Sequence, residues 1–346
     1  MPLFTAMLTQ YNPGMSEASS AKPAFGTVFG EHLPIVRFDG ENWSAVEVVP
    51  TSSVSFGVAA HCLHYGSECF EGMKAHKQAD GSVKTFRANR NIARMRQSAA
   101  SLHLPIPTTE ILEQLVSAAV ESNLDIVPDA PGALYLRPNL VGTDLNIGSA
   151  SKPSKTAALY VIASPVGAYL PPHMLRISVE TEIPRTTPQF GQVKCGSNYA
   201  MALGVILKAN EEHNADQVLF APGGFIEETG AANFFLLEEG HIITPPLSGS
   251  FLHGVTRDSL LQLARKLDWK VEERAVSVEE LVNWCARPNA EAALAGTAAI
   301  LGGVGTLIVR GEDVKVGTGQ TGPGTKLLRN MLTEIQVGKR SFEFQD

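Results

Sequence analysis

Apolar side chains recur at helical spacing in residues 91–102, at Ile92, Met95, Ala99 and Leu102, and Pro105 and Pro107 close the run. A second periodic run follows at once. Thr108 stands before it as an N-cap, and Ile111, Leu112, Leu115 and Val120 share one face of a helix expected over 109–122. Upstream, the extended stretches 35–38 and 45–49 flank Asp39-Gly40, a turn signal. Downstream, 133–137 reads as a strand, and the unbroken apolar run 157–163 reads as a strand buried on both faces.

From Pro171 the pattern changes. Pro171, Pro172, Pro184 and Pro188 fall close together, and an interdomain connection is expected over 171–186. Beyond it helices and strands alternate: a helix over 198–213, strands at 217–221 and 233–237, and a helix over 256–267. A capping box, Ser277-x-x-Glu280, opens a short helix to about Cys285, and a strand follows at 292–295. Strands mixed with helices on both sides of a proline-rich join predict two α/β or α+β domains: a flexible arm over 1–26, a smaller domain over 27–170, the connection, and a larger domain over 187–346.

Composition narrows the class. Hydrophobic residues are 44% and charged residues 18% of the 346, as in a soluble globular protein. A formal net charge of −7 without a Lys/Arg run argues against nucleic-acid binding. No stretch reaches the ~20 apolar residues of a membrane span. The first 25 residues lack the basic start and apolar block of a secretory signal. The four cysteines, Cys62, Cys69, Cys195 and Cys285, form no Cys-x-x-Cys pair, so free thiols in a reducing cytoplasm are expected.

Two signals read as structure. The run from Gly317 to Gly322 matches G-x-G-x-x-G, yet too little chain follows to complete a βαβ unit, so it is a glycine-rich turn. His61 and His64 sit near Cys62 and Cys69 without a second cluster at zinc spacing, which makes them packed or hydrogen-bonded side chains, and no metal is expected. The sequence has no G-x-S-x-G elbow and no H-E-x-x-H.

The remaining candidate is Lys194, in Lys194-Cys195-Gly196-Ser197-Asn198-Tyr199, after a loop and before a helix. Capture of an aldehyde needs a neutral amine, which is favoured between domains and beside another positive charge. Gly196 permits close approach to the backbone, and Tyr199 brings a phenol to the same place.

These residues resemble the Lys-x-Gly-x-Asn-Tyr signature of branched-chain aminotransferases, pyridoxal-phosphate enzymes of fold type IV. Seven further blocks resemble that family in its order: 65–74, with Phe70-Glu71-Gly72; Phe86-Arg87 with Asn91 and Arg94; 134–138; 165–169; Glu228-Thr229-Gly230 with Asn233; 254–257; and 296–298. The resemblance implies a two-domain mixed α/β fold with pyridoxal 5'-phosphate at the domain interface. It further implies a homodimer or higher homo-oligomer, and exchange of amino groups between leucine, isoleucine or valine and 2-oxoglutarate.

It also implies roles. Lys194 is the Schiff-base lysine and proton shuttle, Glu228 faces the pyridine nitrogen, and Tyr199 the cofactor phenolate oxygen. Arg87, the helix start Gly254-Val255-Thr256, and Thr297 hold the phosphate. Phe70, Tyr135 and Tyr169 wall the substrate pocket, with Tyr65 supplied by the partner subunit. Arg137 meets the distal carboxylate of glutamate, and backbone N–H groups at Thr297 and Ala298 hold the α-carboxylate. The plain alternatives are that Thr256 is only an N-cap, Thr297 only a strand residue, Phe70 and Tyr135 core residues, and Glu228 a surface acid.

Departures exist. Cys195 replaces a small or apolar residue, Ala295 stands where Ser or Thr is common, and the Cys-x-x-Cys switch of mammalian relatives is missing after Ala298. Arg185 carries no assigned role. Competing activities are D-amino-acid or (R)-amine transamination and aminodeoxychorismate cleavage on the same fold, a nucleotide-dependent oxidoreductase, and a non-catalytic binding module.

Overall fold

A computed structural model of the chain describes residues 25–167 and 173–345. Tyr169, most of the expected flexible arm, and the start of the expected connection lie outside the described residues.

The first half builds one antiparallel sheet with helices packed on it. Strands β1 (His32–Phe38) and β2 (Glu47–Pro50) pair antiparallel, as the turn signal at Asp39 requires, and β1 pairs in turn with β7. Helix α1 (His61–Tyr65) precedes β3 (Glu68–Phe70), β4 (Met73–Lys77) and β5 (Val83–Thr85). Then come α2 (Ala88–Ser101), α3 (Thr109–Glu121), β6 (Ala133–Gly142) and β7 (Ala157–Val166). The sheet order is β2-β1-β7-β6-β4-β5, with β3 also on β6. Thr108 caps α3 through its hydroxyl, accepting from Ile111 N. The inward face of α3 (Leu112, Leu115, Val116) and that of α2 (Ile92, Met95, Ala99) pack on Leu134, Leu136, Leu159 and Val161 of the sheet. On the other face of β7, Ala158, Tyr160 and Ile162 pack with Leu33, Ile35 and Val141, so the run 157–163 is apolar on both faces.

The second half carries β8 (Leu175–Glu180), α4 (Gly196–His213), β9 (Gln217–Phe220), β10 (Asn233–Glu238), β11 (His241–Thr244) and α5 (Val255–Lys266). It continues with β12 (Lys270–Glu273), α6 (Val278–Cys285), β13 (Glu291–Gly296), β14 (Ile300–Val309), β15 (Glu312–Lys315) and α7 (Pro323–Gln336). The sheet runs β12-β11-β10-β13-β14-β8-β9, with β15 on β14. Part of the expected connection is therefore regular structure: β8 lies parallel to both β14 and β9 inside the sheet. Prolines on both sides of β8 gave that stretch the look of a linker, while the alternating Ile177 and Val179 belong to the core or pack against it.

Gly317 and Gly319 adopt positive φ in a turn before α7. The first N–H groups of α7 are already spent: Glu291, on β13, accepts from Gly324 N and Thr325 N, both at 2.8 Å. A carboxylate thus stands where the glycine pattern would place a phosphate. His61 hydrogen-bonds Ser67 at 2.8 Å and faces the Ser149 and Lys152 carbonyls, so it is a satisfied buried histidine. No His/Cys/Asp/Glu group among the described residues is arranged to hold a metal ion. Among the same residues, no helix is long and apolar enough to cross a membrane.

Candidate active site

The two halves meet along the segment that precedes α4. Lys194 lies on that segment and is tied to the first half twice: its N–H donates to Ser98 Oγ at 3.0 Å, and its carbonyl accepts from Phe70 N at 3.0 Å. Helix α4 starts at Gly196, where Cys195 is extended and a half-buried carboxylate meets the helix start. Glu68 on β3 accepts from Gly196 N, and a Cβ at Gly196 would stand 2.5 Å from Glu68 Oε1. The group that approaches this glycine is thus a protein side chain. Burial raises the Glu68 carboxyl, against the pull of the Gly196 N–H and of Arg137.

One turn into α4, Tyr199 receives a hydrogen bond from Lys194 Nζ at 2.8 Å. The Phe70 ring packs on Tyr199 with centroids 5.3 Å apart, and Lys194 Nζ lies 4.8 Å from the Phe70 centroid. Arg137 stacks on Phe70 from 4.5 Å and donates to the Tyr135 hydroxyl at 2.9 Å. Lys194, Tyr199, Phe70, Arg137 and Tyr135 therefore form one connected cluster. A side chain at Gly72 would collide with the Tyr135 hydroxyl.

Glu228 is buried, not a surface acid. Its carboxylate accepts from Leu252 N at 2.9 Å and Asn233 Nδ2 at 3.3 Å, and Arg185 Nη1 lies 2.9 Å away. The Arg185 contact holds by charge; its angle is not that of a hydrogen bond, since Nη1 finds no aligned acceptor. Burial still dominates and lifts Glu228 to about 7, against Arg185 and the Leu252 N–H. Arg185 is itself buried and lies over the Tyr199 ring, 5.8 Å from its centroid. Sequence reasoning gave Arg185 no place. The available signal was a single arginine fixed between Pro184 and Pro188 just ahead of the lysine.

The loop from Leu252 to Gly254 is held on several sides. Asn233 Nδ2 donates to the Leu252 carbonyl at 2.9 Å, and Arg94 Nη1 to the His253 carbonyl at 2.8 Å. Arg94 is anchored by a fork on Glu71, at 2.7 and 2.9 Å, with Asn91 adding a bond to the same carboxylate. Burial works to raise Glu71, but Arg94 outweighs it and keeps the carboxyl below its ordinary range. This is the physical content of the Phe-Glu-Gly block: a buried pair that buttresses a loop of the other half.

That loop ends in α5, whose N-cap is Gly254 and whose first turn has no side-chain cap. Thr256 is the second helical residue, so it is not the N-cap, and Thr297 lies just past β13, in the turn before β14. Val255, Thr256 and Thr297 line a small shared cavity. Arg87 reaches the same helix start, bonding Asp258 at 2.6 Å and Ser259 at 2.9 Å, with Gln345 O at 3.1 Å. Tyr65 takes no part in the Lys194 cluster. It sits at the end of α1, and its hydroxyl donates to the Ile147 carbonyl.

The donor set fits pyridoxal phosphate: an amine beside a phenol, a buried carboxyl paired with an arginine, and a helix start without a side-chain cap, with the Thr256 hydroxyl beside it, for an anion.

The comparisons agree with this geometry. The family model for class IV amino-transferases matches residues 68–298. The chain is 37% identical over 337 residues to the branched-chain-amino-acid aminotransferase of Mycobacterium tuberculosis, covering 93% of this chain and 90% of that protein. It is 35% identical over 325 residues to branched-chain-amino-acid transaminase 1 of Bacillus subtilis, covering 91% and 90%. Among solved structures, the branched-chain amino acid aminotransferase of Escherichia coli superposes with a TM-score of 0.73 at 25% identity, covering 91% of this chain and 97% of that one. The T.th. branched-chain amino acid aminotransferase, solved with pyridoxamine 5'-phosphate, gives 0.74 at 26%, covering 90% and 96%.

Proposed function

From the premise that the chain belongs to the class IV aminotransferases, in their branched-chain group and with their fold type IV architecture, we propose that it moves amino groups between branched-chain L-amino acids and 2-oxoglutarate. The observation that carries this reading is the Lys194–Tyr199 pair at 2.8 Å, placed against Phe70 and Arg137 and between two separately anchored halves.

Pyridoxal phosphate, when bound, supplies the aldehyde that takes up the amino group and the ring that accepts electrons from the substrate α-carbon. The chain's own residues do the rest. Lys194 carries the cofactor and moves the proton at the substrate α-carbon. Tyr199 holds the lysine amine and meets the cofactor phenolate oxygen. Glu228, as a carboxylate, keeps a proton at the pyridine nitrogen, and Arg185 beside it favours that ionised form against the effect of burial. Gly254, Val255, Thr256 and Thr297 receive the phosphate, with Arg87 bracing the helix start through Asp258.

Phe70, Tyr135 and Tyr169 form an apolar wall for the leucine, isoleucine or valine side chain. Arg137, lying on that wall, pairs with the distal carboxylate of glutamate or 2-oxoglutarate, so one pocket accepts both substrate types. The α-carboxylate common to all of them is held by backbone N–H groups at Thr297 and Ala298. Two copies assemble as a homodimer through the exposed apolar face around Val58, Leu63, Leu145 and Ile147, and Tyr65 beside that face serves the partner's pocket. Four free cysteines suit a cytoplasmic location.

The test is spectroscopic and then kinetic. Protein loaded with pyridoxal phosphate is yellow, and borohydride bleaches it by fixing the cofactor to Lys194. Lys194→Ala gives no fixed cofactor and no turnover. A coupled assay then compares L-leucine, D-alanine and an (R)-amine; turnover of D-alanine alone would replace the substrate assignment with the D-amino-acid reading.

A further inference from the structure

A second lysine bears on the same site. Lys74, on β4, is 7% exposed, and burial pushes it down to about 8. A buried ammonium is costly, and an aliphatic side chain of similar length would fill the space without that cost. Its side chain reaches across to the other half and donates from Nζ to the Ala298 carbonyl at 2.7 Å. Two residues earlier on the same segment, the Gly72 carbonyl accepts from Thr297 Oγ1 at 3.2 Å. The turn between β13 and β14 is thus held from outside at two adjacent residues, by one short stretch of the first half. Where the turn enters β14, Leu301 N bonds Ala299 O at 2.7 Å and Ile300 has a φ of +61°, a conformation rare for a β-branched residue. Such a turn keeps its shape only where its surroundings impose it. Lys74 also lines the cavity shared by Val255, Thr256 and Thr297, so its charge lies close to where the site gathers anions.

We propose that Lys74 is a positioning residue for the substrate α-carboxylate: by clamping the Ala298 carbonyl it fixes the Thr297–Ala298 turn, and so sets the affinity for every substrate that presents a carboxylate there. The inference rests on the aminotransferase reading above, and it concerns a residue outside the Lys194 cluster. The amino-acid and oxo-acid substrates share that carboxylate, so loss of the clamp weakens both sides of the reaction together. The chemistry at the α-carbon, which belongs to Lys194 and Glu228, is left in place.

The experiment uses the pyridoxal-phosphate-loaded enzyme and compares Lys74→Met with Lys74→Arg. Losing a hydrogen bond to a charged group corresponds to about 10- to 100-fold in affinity. Lys74→Met is expected to raise KM for L-leucine and for 2-oxoglutarate by a similar factor in that range, with kcat changed less than about 3-fold. The dissociation constant of 4-methylvalerate, a carboxylate without an amine, read from the perturbed cofactor absorbance, rises by the same factor. Lys74→Arg, which keeps the charge and the donor, restores all three. Should Lys74→Met melt below the assay temperature, Lys74→Gln takes its place with the same expectation. A yellow variant with unchanged KM and unchanged 4-methylvalerate binding overturns the role of Lys74 and leaves transamination standing, as does a loss confined to kcat. A wild-type protein that takes up no cofactor overturns transamination and the role of Lys74 with it.

Discussion

At the scale of single residues, the site is governed by how buried charges are paired. Glu228 and Arg185 are both 3% exposed at the side chain and 2.9 Å apart, yet burial still lifts the carboxyl to about 7. Its unfolded value is ~4.3. Between those two values the folded, cofactor-free protein holds a proton that the unfolded chain has released. This contribution to stability is fully present below pH ~4.3 and is lost as pH rises through 7. Arg185 opposes the rise, so removing it leaves a carboxylate that is buried and unpaired wherever it is ionised. Arg185→Met is therefore expected to destabilise the cofactor-free protein by about 3 kcal/mol at pH 8, the size seen when one partner of a buried pair is removed. At pH 5 the carboxyl is neutral and the loss is small. Thermal melts at the two pH values measure this, and an equal loss at both would show that the arginine acts through packing alone. Glu71 and Arg94 entered the sequence reading only as members of motif blocks, and Arg185 entered without a role, for a common reason. A charged residue in an unaligned chain reads as solvated, and its burial becomes visible only once the partner has been brought to it.

At the scale of elements, legibility followed length and periodicity. Helix α3 with its Thr108 cap, α6 with its Ser277 cap, and the apolar strand β7 stand in the structure where the pattern put them. The capping box of α6 is only half made: Ser277 accepts from Glu280 N, while the Glu280 carboxylate turns to Arg274 at 2.7 and 3.0 Å. Strands β3 and β5 have three residues each, too few for an alternation to register, and β8 was hidden by the prolines around it. The glycine-rich run 317–322 is the instructive element. It was read as a turn, which it is, and the structure adds what excludes a nucleotide there. The start of α7 is closed by Glu291, which is 5% exposed. Replacing Glu291 with Ala strips two N–H groups of their acceptor and removes a negative charge from a helix N-terminus, at a cost of about 1–2 kcal/mol. Urea unfolding of the variant measures it. A stability equal to wild type would mean that the carboxylate is not what caps α7.

At the scale of the whole molecule, the chain looks incomplete on one face. Val58 is 89% exposed, Leu145 68% and Ile147 67%, and Leu63 on α1 adds another apolar side chain nearby in sequence to Tyr65. Scattered exposed apolar residues need no explanation, but a contiguous group does. Here the segments that carry the group are joined by direct contacts: Ala60 bridges to Leu145, Tyr65 donates to the Ile147 carbonyl, and His61 N donates to Asp144 O, which ties α1 to the loop after β6. A homodimer would cover that face and carry Tyr65 toward the partner's pocket, which explains why Tyr65 stands apart from Lys194 within its own chain. Ile147→Asp puts a charge into the centre of such an interface. If the proposed dimer forms through this face, sedimentation of the variant shows a monomer and that of the wild type a dimer, with the melting temperature of the folded chain little changed and transamination reduced at least about 10-fold, since a charge that must be buried unpaired costs several kcal/mol. Tyr65→Phe keeps the ring and the apolar face, so it should remain dimeric, which separates assembly from the contribution of the phenol. A dimeric, fully active Ile147→Asp protein would place the interface elsewhere, and the walls of the substrate pocket would then have to come from one chain alone.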